Sequence, residues 1–329
     1  MKVEKNQIDA LNLELTLTVE AADYAAISKK KFAECRRKAD FKGFRKGMVP
    51  ASMIQRVYGE QILVESVNEV VGTSLDNYIN DEKLHILGEP LSSENQPEIE
   101  WKDGADFTFV FDVALAPEVN VEVTKEDAVP FYSVTVSDED KAPMIENLKK
   151  YYSEKEETKT DEEIDEEVSA RMADEFGREA QWRLSKDIRD FFVKKAGIEL
   201  PEAFLKRWLL FANQGKFSKE DIDKEFAGFA EDFKWQMVRG KLMDKFGLKV
   251  EQKDVTDAAE EFVSYQYAMY GMNNLPAEIL ADAVKNVLSD SKQVDRLVEQ
   301  VEDRKVISAI KEQITVEPKT VTAAEFREL

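Results

Sequence analysis

Apolar and polar side chains alternate between residues 9 and 19, where Leu11, Leu13, Leu15, Leu17 and Val19 are separated by polar neighbours. A period of two predicts a strand with one buried face. The period then changes. Tyr24, Ile27, Phe32 and Cys35 fall on one side of a helix expected over 22–39, whose other positions carry Lys29, Lys30, Lys31, Arg36, Arg37 and Lys38. A second, longer helix is expected from about Pro50 to Asn80. Ile54, Val57, Tyr58, Leu63, Val67, Val70, Val71, Leu75 and Tyr78 recur there at steps of three and four, which makes one apolar stripe. After Gly88-Glu89-Pro90 come two further strand candidates, the second marked by Phe107, Phe109, Phe111, Val113 and Leu115. The order β-α-loop-α-β-β predicts an α+β domain over residues 1–115.

Residues 116–136 read as extended. Pro117 and Pro130 oppose helix, and valines alternate at 119, 121 and 123,. Ser137 or Asp138 then caps a short helix through Tyr152. Residues 116–160 are therefore expected to be a linker that lies along another domain. From about Glu162 to Ile314 the period is helical almost throughout. Candidate helices run over 162–176, 178–196, 201–214, 219–246, 255–271, 277–289 and 291–314, with Pro201 and Pro276 in first turns and Gly197, Gly247 and Gly271 near ends,. The tail from Val316 is partly extended. The expected architecture is an elongated multidomain chain: an α+β domain (1–115), the linker (116–160) and an all-α C-terminal domain (161–329).

Charge sharpens this picture. The chain carries 46 Lys and Arg against 67 Asp and Glu, a formal −21. That balance argues against diffuse nucleic-acid binding, which needs many cations on one face. Yet from Lys29 to Arg56 ten Lys or Arg face two acids, Glu34 and Asp40, a local +8. This cationic window centres on Gly43-Phe44-Arg45-Lys46-Gly47-Met48-Val49-Pro50. The two glycines allow tight turning, Pro50 suits a helix start, and an aromatic beside cations has the composition of a binding hot spot. The stretch reads as a tip that touches RNA or an acidic protein.

Other chemistry is sparse. His85 is the single histidine and lies in apolar Leu84-His85-Ile86-Leu87, where a packed or edge role accounts for it. Cys35 is the single cysteine, so no intramolecular disulfide forms and a reducing cytoplasm is the expected compartment. The first residues lack a signal-peptide apolar core, and no run of about eighteen apolar residues suggests a membrane span. The acids at 161–167 lack calcium-loop spacing. No phosphate loop or dinucleotide fingerprint is present. No catalytic residue, metal ligand or cofactor is predicted. One apolar group remains open. Phe262, Tyr265, Met269, Tyr270, Met272 and Leu275 cannot all face one way on a helix. They are either core or dimer packing, or a surface that binds apolar substrates with adaptable methionines.

The Gly43–Pro50 stretch resembles the ribosome-docking motif of the trigger factor family of bacterial chaperones. Its pattern Gly-Phe-Arg-x-Gly-x-x-Pro is met by Gly43, Phe44, Arg45, Gly47 and Pro50, with Lys46 at the variable position. The basic helix before it, the long helix opening Ala51-Ser52-Met53-Ile54, the helical second half and the closing Thr322 to Leu329 also resemble that family. The resemblance implies an ATP-independent holdase. Phe44, Arg45 and Lys46 would contact a ribosomal protein and nearby rRNA of the large subunit at the exit tunnel, and a helical cradle would shield unfolded nascent polypeptides. It also implies a possible homodimer off the ribosome. The family usually inserts an FKBP-like prolyl-isomerase domain between linker and helical domain, but here only eight residues separate Tyr152 from Asp161. Isomerase activity is therefore not expected. A scaffold protein whose tip binds an acidic partner is the alternative.

Overall fold

The computed structural model describes residues 1–155, 159–272 and 275–329. In chain order the elements are β1 (Lys2–Gln7), β2 (Asn12–Val19), α1 (Ala21–Lys38), α2 (Ala51–Asp81), β3 (Ile86–Ser92), β4 (Phe107–Leu115) and β5 (Ala128–Thr135), then α3 (Asp138–Glu154), α4 (Asp161–Ala196), α5 (Glu202–Ala212), α6 (Lys219–Phe246), α7 (Gln252–Met269), α8 (Ala277–Ser289), α9 (Ser291–Gln313), β6 (Thr315–Thr322) and α10 (Ala323–Arg327). They gather into two units, one of Met1–Glu118 with Glu199–Ala230, the other of Val119–Ile198 with Glu231–Leu329.

In the first unit an antiparallel sheet of order β1-β2-β4-β3 carries α1 and α2 on one face. The alternation in β2 and β4 explains why. Leu15 pairs with Phe111 and Leu17 with Phe109, so the apolar sets of both strands share that face. Leu13, Leu15, Leu17 and Val19 pack there with Tyr24, Val67, Leu75 and Phe107. Tyr24 donates its hydroxyl to the Ala105 carbonyl at 2.9 Å and accepts from the Gly104 amide at 3.0 Å, which satisfies the one polar group it brings inside,. Strand β1 was not expected. Lys2–Gln7 is almost wholly exposed at the sheet edge, so no apolar alternation marks it.

The opposite face of the sheet is half polar. On β2 it shows Glu14, Thr16 and Thr18. On β3 and β4 it shows Leu87, Leu91, Val110 and Ala114, all buried. Helix α5 packs on β3 and β4. The Arg207 guanidinium donates to the Asp112 carboxylate at 2.6 Å and to the Ser92 carbonyl at 2.9 Å. Trp208 lies so close to Gly88 that a Cβ there would stand 2.8 Å from the indole nitrogen.

The second unit is held by a parallel pair, β5 with β6, in register from Ala128↔Thr315 to Thr135↔Thr322. The extended reading of 116–136 holds for β5, but its parallel partner was not anticipated. Helix α4 buries Ile164, Val168, Met172, Phe176, Ala180, Leu184, Ile188 and Phe192, every fourth residue, a row that advances by about 40° at each step and so winds slowly round the helix. The sequence reading split this helix at Gly177, and the structure joins it. A Cβ at Gly177 would meet nothing within 4 Å. The glycine thus sits on the open side and costs only about 1 kcal/mol of helix propensity, too little to break the stripe. Helix α3 packs on α4 through Leu148 and Tyr152, and α10 adds Phe326. Thr160 and Glu163 cap α4 reciprocally. One turn on, Glu167 accepts from Lys159 at 2.6 Å and the Tyr152 hydroxyl at 2.8 Å. These bonds hold its carboxyl down at about 2.

Helices α7, α8 and α9 close around Ala259, Val263, Val284, Leu297 and Val301. Trp235 of α6 donates its indole N–H to Asp303 of α9 at 2.8 Å, and Arg239 pairs with Asp303 and Glu302 at 3.0 and 3.1 Å. No helix among the described residues is long and apolar enough to cross a membrane.

Phe326 makes edge-on contact with Tyr132 and Phe176 at 6.1 and 6.2 Å, so it links α10 to both β5 and α4. Phe326→Ala should cost the second unit about 3 kcal/mol. Segment-resolved hydrogen exchange should show faster exchange in α3, α4 and β5 and no change in β2 or β4.

Candidate docking tip and apolar surface

Helix α1 ends in Arg36, Arg37 and Lys38, cations that suit a helix C-terminus,. Two turns follow in tandem. The Phe44 amide donates to the Phe41 carbonyl at 3.0 Å, and the Met48 amide to the Arg45 carbonyl at 2.9 Å. Gly43 and Gly47 occupy the third position of these turns with φ of 92° and 83°. Positive φ at that position defines the type II turn and favours glycine. Lys42 and Lys46 take the second, outward corner of each turn. The double turn thus presents Lys42, Phe44, Arg45 and Lys46 to solvent, and all four are exposed. Phe44 keeps 40% of its surface and Met48 69%.

Beneath the turns lies a small separate core. Ala39, Val49 and Ile54 are buried there, with Phe32, Cys35, Phe41, Met53 and Tyr58 around them. Phe41 meets Tyr58 edge-on at 6.2 Å. Arg36 donates through Nε to the Val49 carbonyl at 3.0 Å, tying the return of the loop to the end of α1. Pro50 is the N-cap of α2. The loop is therefore fixed on both sides while its outward side chains stay uncommitted. Arg45 and Lys46 have no salt bridge among the described residues.

The apolar group at the end of α7 divides. Phe262 and Leu275 are half-buried against the α7–α9 core. Tyr265, Met269, Tyr270 and Met272 are exposed by 67%, 72%, 83% and 49%. Gly271, with φ of 79°, turns the chain at that point. His85 is exposed just before β3, its carbonyl accepting from the Ala116 amide. Cys35 belongs to the small core under the tip. No cluster of metal-ligating side chains occurs among the described residues. The docking of Arg207 and Trp208 on β3 and β4 was not foreseen, although the all-round apolar character of Phe204-Leu205 and Trp208-Leu209-Leu210-Phe211 was a readable signal that α5 needs cover.

The turn geometry sets a test. Gly47→Val places a branched side chain at φ of 83° and should cost on the order of 1–3 kcal/mol. Lys46→Ala, in the same turn, should leave the melting temperature within a degree or two. Thermal unfolding of the three proteins compares them directly.

Comparison with known proteins agrees with this fold. The family described as bacterial trigger factor protein (TF) matches residues 1–148, and the family described as probable trigger factor, C-terminal domain, matches residues 180–329. The trigger factor of Aliivibrio fischeri is 28% identical over 313 residues, covering 91% of this chain and 68% of its own. That of Aliivibrio salmonicida is 25% identical over 310 residues with the same coverage. A solved structure described as "Promiscuous Substrate Recognition in Folding and Assembly Activities of the Trigger Factor Chaperone" superposes with a TM-score of 0.55 at 13% identity, covering 95% of this chain and all of that one; at this identity it speaks for the fold alone. With both domain families matched over nearly the whole chain, the protein belongs to the trigger factor family of chaperones.

Proposed function

We propose that this chain is a cytoplasmic, ATP-independent holdase that docks on the large ribosomal subunit at the exit tunnel and shields apolar segments of nascent chains. The observation that carries the reading is the tip. A chain of formal charge −21 holds a double turn, tied to α1 by Arg36, that offers an aromatic beside Arg45 and Lys46, cations without a salt bridge among the described residues. Gly43, Phe44, Arg45, Lys46, Gly47 and Pro50 are the docking residues, with Phe44 as the apolar anchor and Arg45 and Lys46 facing a ribosomal protein and rRNA phosphate. Repulsion between the acidic remainder and rRNA would confine contact to this point.

Client binding is assigned to the exposed cluster of Tyr265, Met269, Tyr270 and Met272, with Phe262 and Leu275 as its floor. Four adjacent exposed apolar side chains exceed the scattered singles normal for a surface. Individually weak contacts would let a client leave as it folds, and tethering at the exit would supply effective concentration. The functional division runs as docking domain (1–115), linker (116–160) and client-binding domain (161–329), with a homodimer as the form off the ribosome. Helix α3 ends at Glu154 and α4 starts at Asp161. The intervening stretch, of which residues 156–158 lie outside the described residues, cannot hold a domain of about a hundred residues. We therefore assign no prolyl-isomerase activity.

Co-sedimentation tests the docking. Wild type should pellet with isolated large ribosomal subunits, while combined Phe44→Ala, Arg45→Ala and Lys46→Ala should lower the pelleted fraction about tenfold or more. Equal pelleting would sink the docking role and favour the scaffold reading. The client surface has a separate test. Met269→Ser, Tyr270→Ser and Met272→Ser together should weaken suppression of client aggregation at unchanged helicity, because exposed positions move stability by only about 0.5 kcal/mol each. A fall in helicity would show that they are packing residues.

A further inference from the structure

The face of β3 and β4 turned away from the α1–α2 core has the chemistry of a binding surface, and the chain covers it with its own helix. Phe107, Phe109 and Val113 of β4 face the core, so Val110, Asp112 and Ala114 face the other way. Leu87 pairs with Ala114 and Leu91 with Asp112, which places both leucines on that same side. The register between these two pairs shifts, and in the shift lies Gly88 with φ of 68°. The bulge bares backbone where the Trp208 indole rests. At the end of the apolar strip the Asp112 carboxylate and the Ser92 carbonyl receive the Arg207 fork, with Glu94 3.7 Å from its Nε.

We propose that this face is a second client site, closed in the free protein by α5 acting as a stand-in for client. The inference rests on the chaperone reading above. It goes beyond it in naming the site and its regulation; the segments this face would take carry an aromatic next to a cation within an apolar run, as Arg207-Trp208-Leu209-Leu210 does. Four observations support a reversible cover. Helix α5 spans only 11 residues and is too short to persist without its docking contacts. It adds no strand to the sheet, so its departure breaks no ladder. Its polar anchor is only part-buried, with Arg207 and Asp112 side chains 32% and 24% exposed. Its far end already shows Phe211 and the following loop Phe217, 64% and 52% exposed. The acceptors Asp112, Glu94 and Ser92 match a cationic client, as does the chain's overall negative charge. A client that binds only the uncovered face is weakened by the fraction of molecules in which that face is open.

The full-length protein tests this with two probes: a fluorescein-labelled peptide of residues 202–212, and a permanently unfolded, cysteine-alkylated protein. Arg207→Ala with Trp208→Ala should speed hydrogen exchange in α5 and raise affinity for both probes about tenfold. Adding Gly88→Val should abolish the gain, and a peptide with glutamate at the arginine position should bind the open variant far more weakly than the native peptide. Asp112→Asn, a milder change that keeps the apolar contacts, should release α5 in part and weaken the arginine peptide selectively. Saturating wild type with the unfolded protein should in turn speed exchange in α5, as reciprocity requires. Release of α5 without tighter binding of either probe overturns the proposal, as does unchanged protection of α5 in the double variant. If wild type binds unfolded protein and the open variant binds it no better, the second site alone fails. If neither binds it, the chaperone reading fails and takes the second site with it.

Discussion

The second unit depends on one non-local pairing. Strands β5 and β6 lie in parallel, and the Thr315 hydroxyl donates to the Lys125 carbonyl 190 residues away in sequence. A parallel pair needs a crossover between its strands, and here that crossover contains every helix from α3 to α9. Closing so long a loop costs only slightly more than closing a shorter one, because the entropy grows with the logarithm of length. The pair can therefore bracket a large insertion at little extra cost. It also fixes where that insertion begins and ends. Helices α4 and α10 both pack on β5, and the buried Asp127 beside it accepts from Lys195 at the end of α4 at 2.6 Å. The strands act as the staple of the helical unit.

The legibility of each element in the sequence follows from whether its signal is local. Strand β2 and helices α2, α6 and α8 were readable because their burial repeats with a period of two or three to four. Helix α4 was readable in existence but not in length, since a glycine on the open side looks the same in sequence as one at a helix end. Strand β1 carries no apolar alternation because an edge strand of Lys, Glu, Asn and Gln buries almost nothing. The β5–β6 pairing left no trace, since each strand alone is merely extended. Its register is decided by contacts that no window of sequence contains.

The tip and the α7 cluster differ in the same way. Glycines that bracket an aromatic and two cations are a local signal, so a tight turn with Phe44, Arg45 and Lys46 outward could be read before the fold was known, though not that it is two turns in tandem. The small core beneath it could not, because Phe41, Tyr58 and Ile54 meet only after α1 and α2 are placed. Of the six apolar residues near the end of α7, helical geometry required only that they point to more than one side. It could not say that Phe262 and Leu275 turn inward, because that depends on where α8 and α9 lie. Arg207 shows the limit most plainly. In sequence it is one of 46 cations, and its partner Asp112 is one acid among many on an acidic chain.

On the proposed reading of a holdase without a nucleotide cycle, release must come from equilibrium alone. Each apolar contact with client must then be weak, or must compete with something the chain supplies. As the proposed client surface, an exposed cluster such as Tyr265, Met269, Tyr270 and Met272 would satisfy the first condition, because each contact buries little area and the cost of ordering flexible side chains and client offsets much of the gain. A covered face, as proposed for β3 and β4, would satisfy the second. On its return α5 would restore the Arg207 fork and the contact of Trp208 with Gly88, and that regained free energy would be subtracted from whatever a client gains by binding there. Competition by an intramolecular segment has a further consequence. Its effective concentration does not change with dilution, so release would proceed equally in a crowded cell and at the exit of a single ribosome.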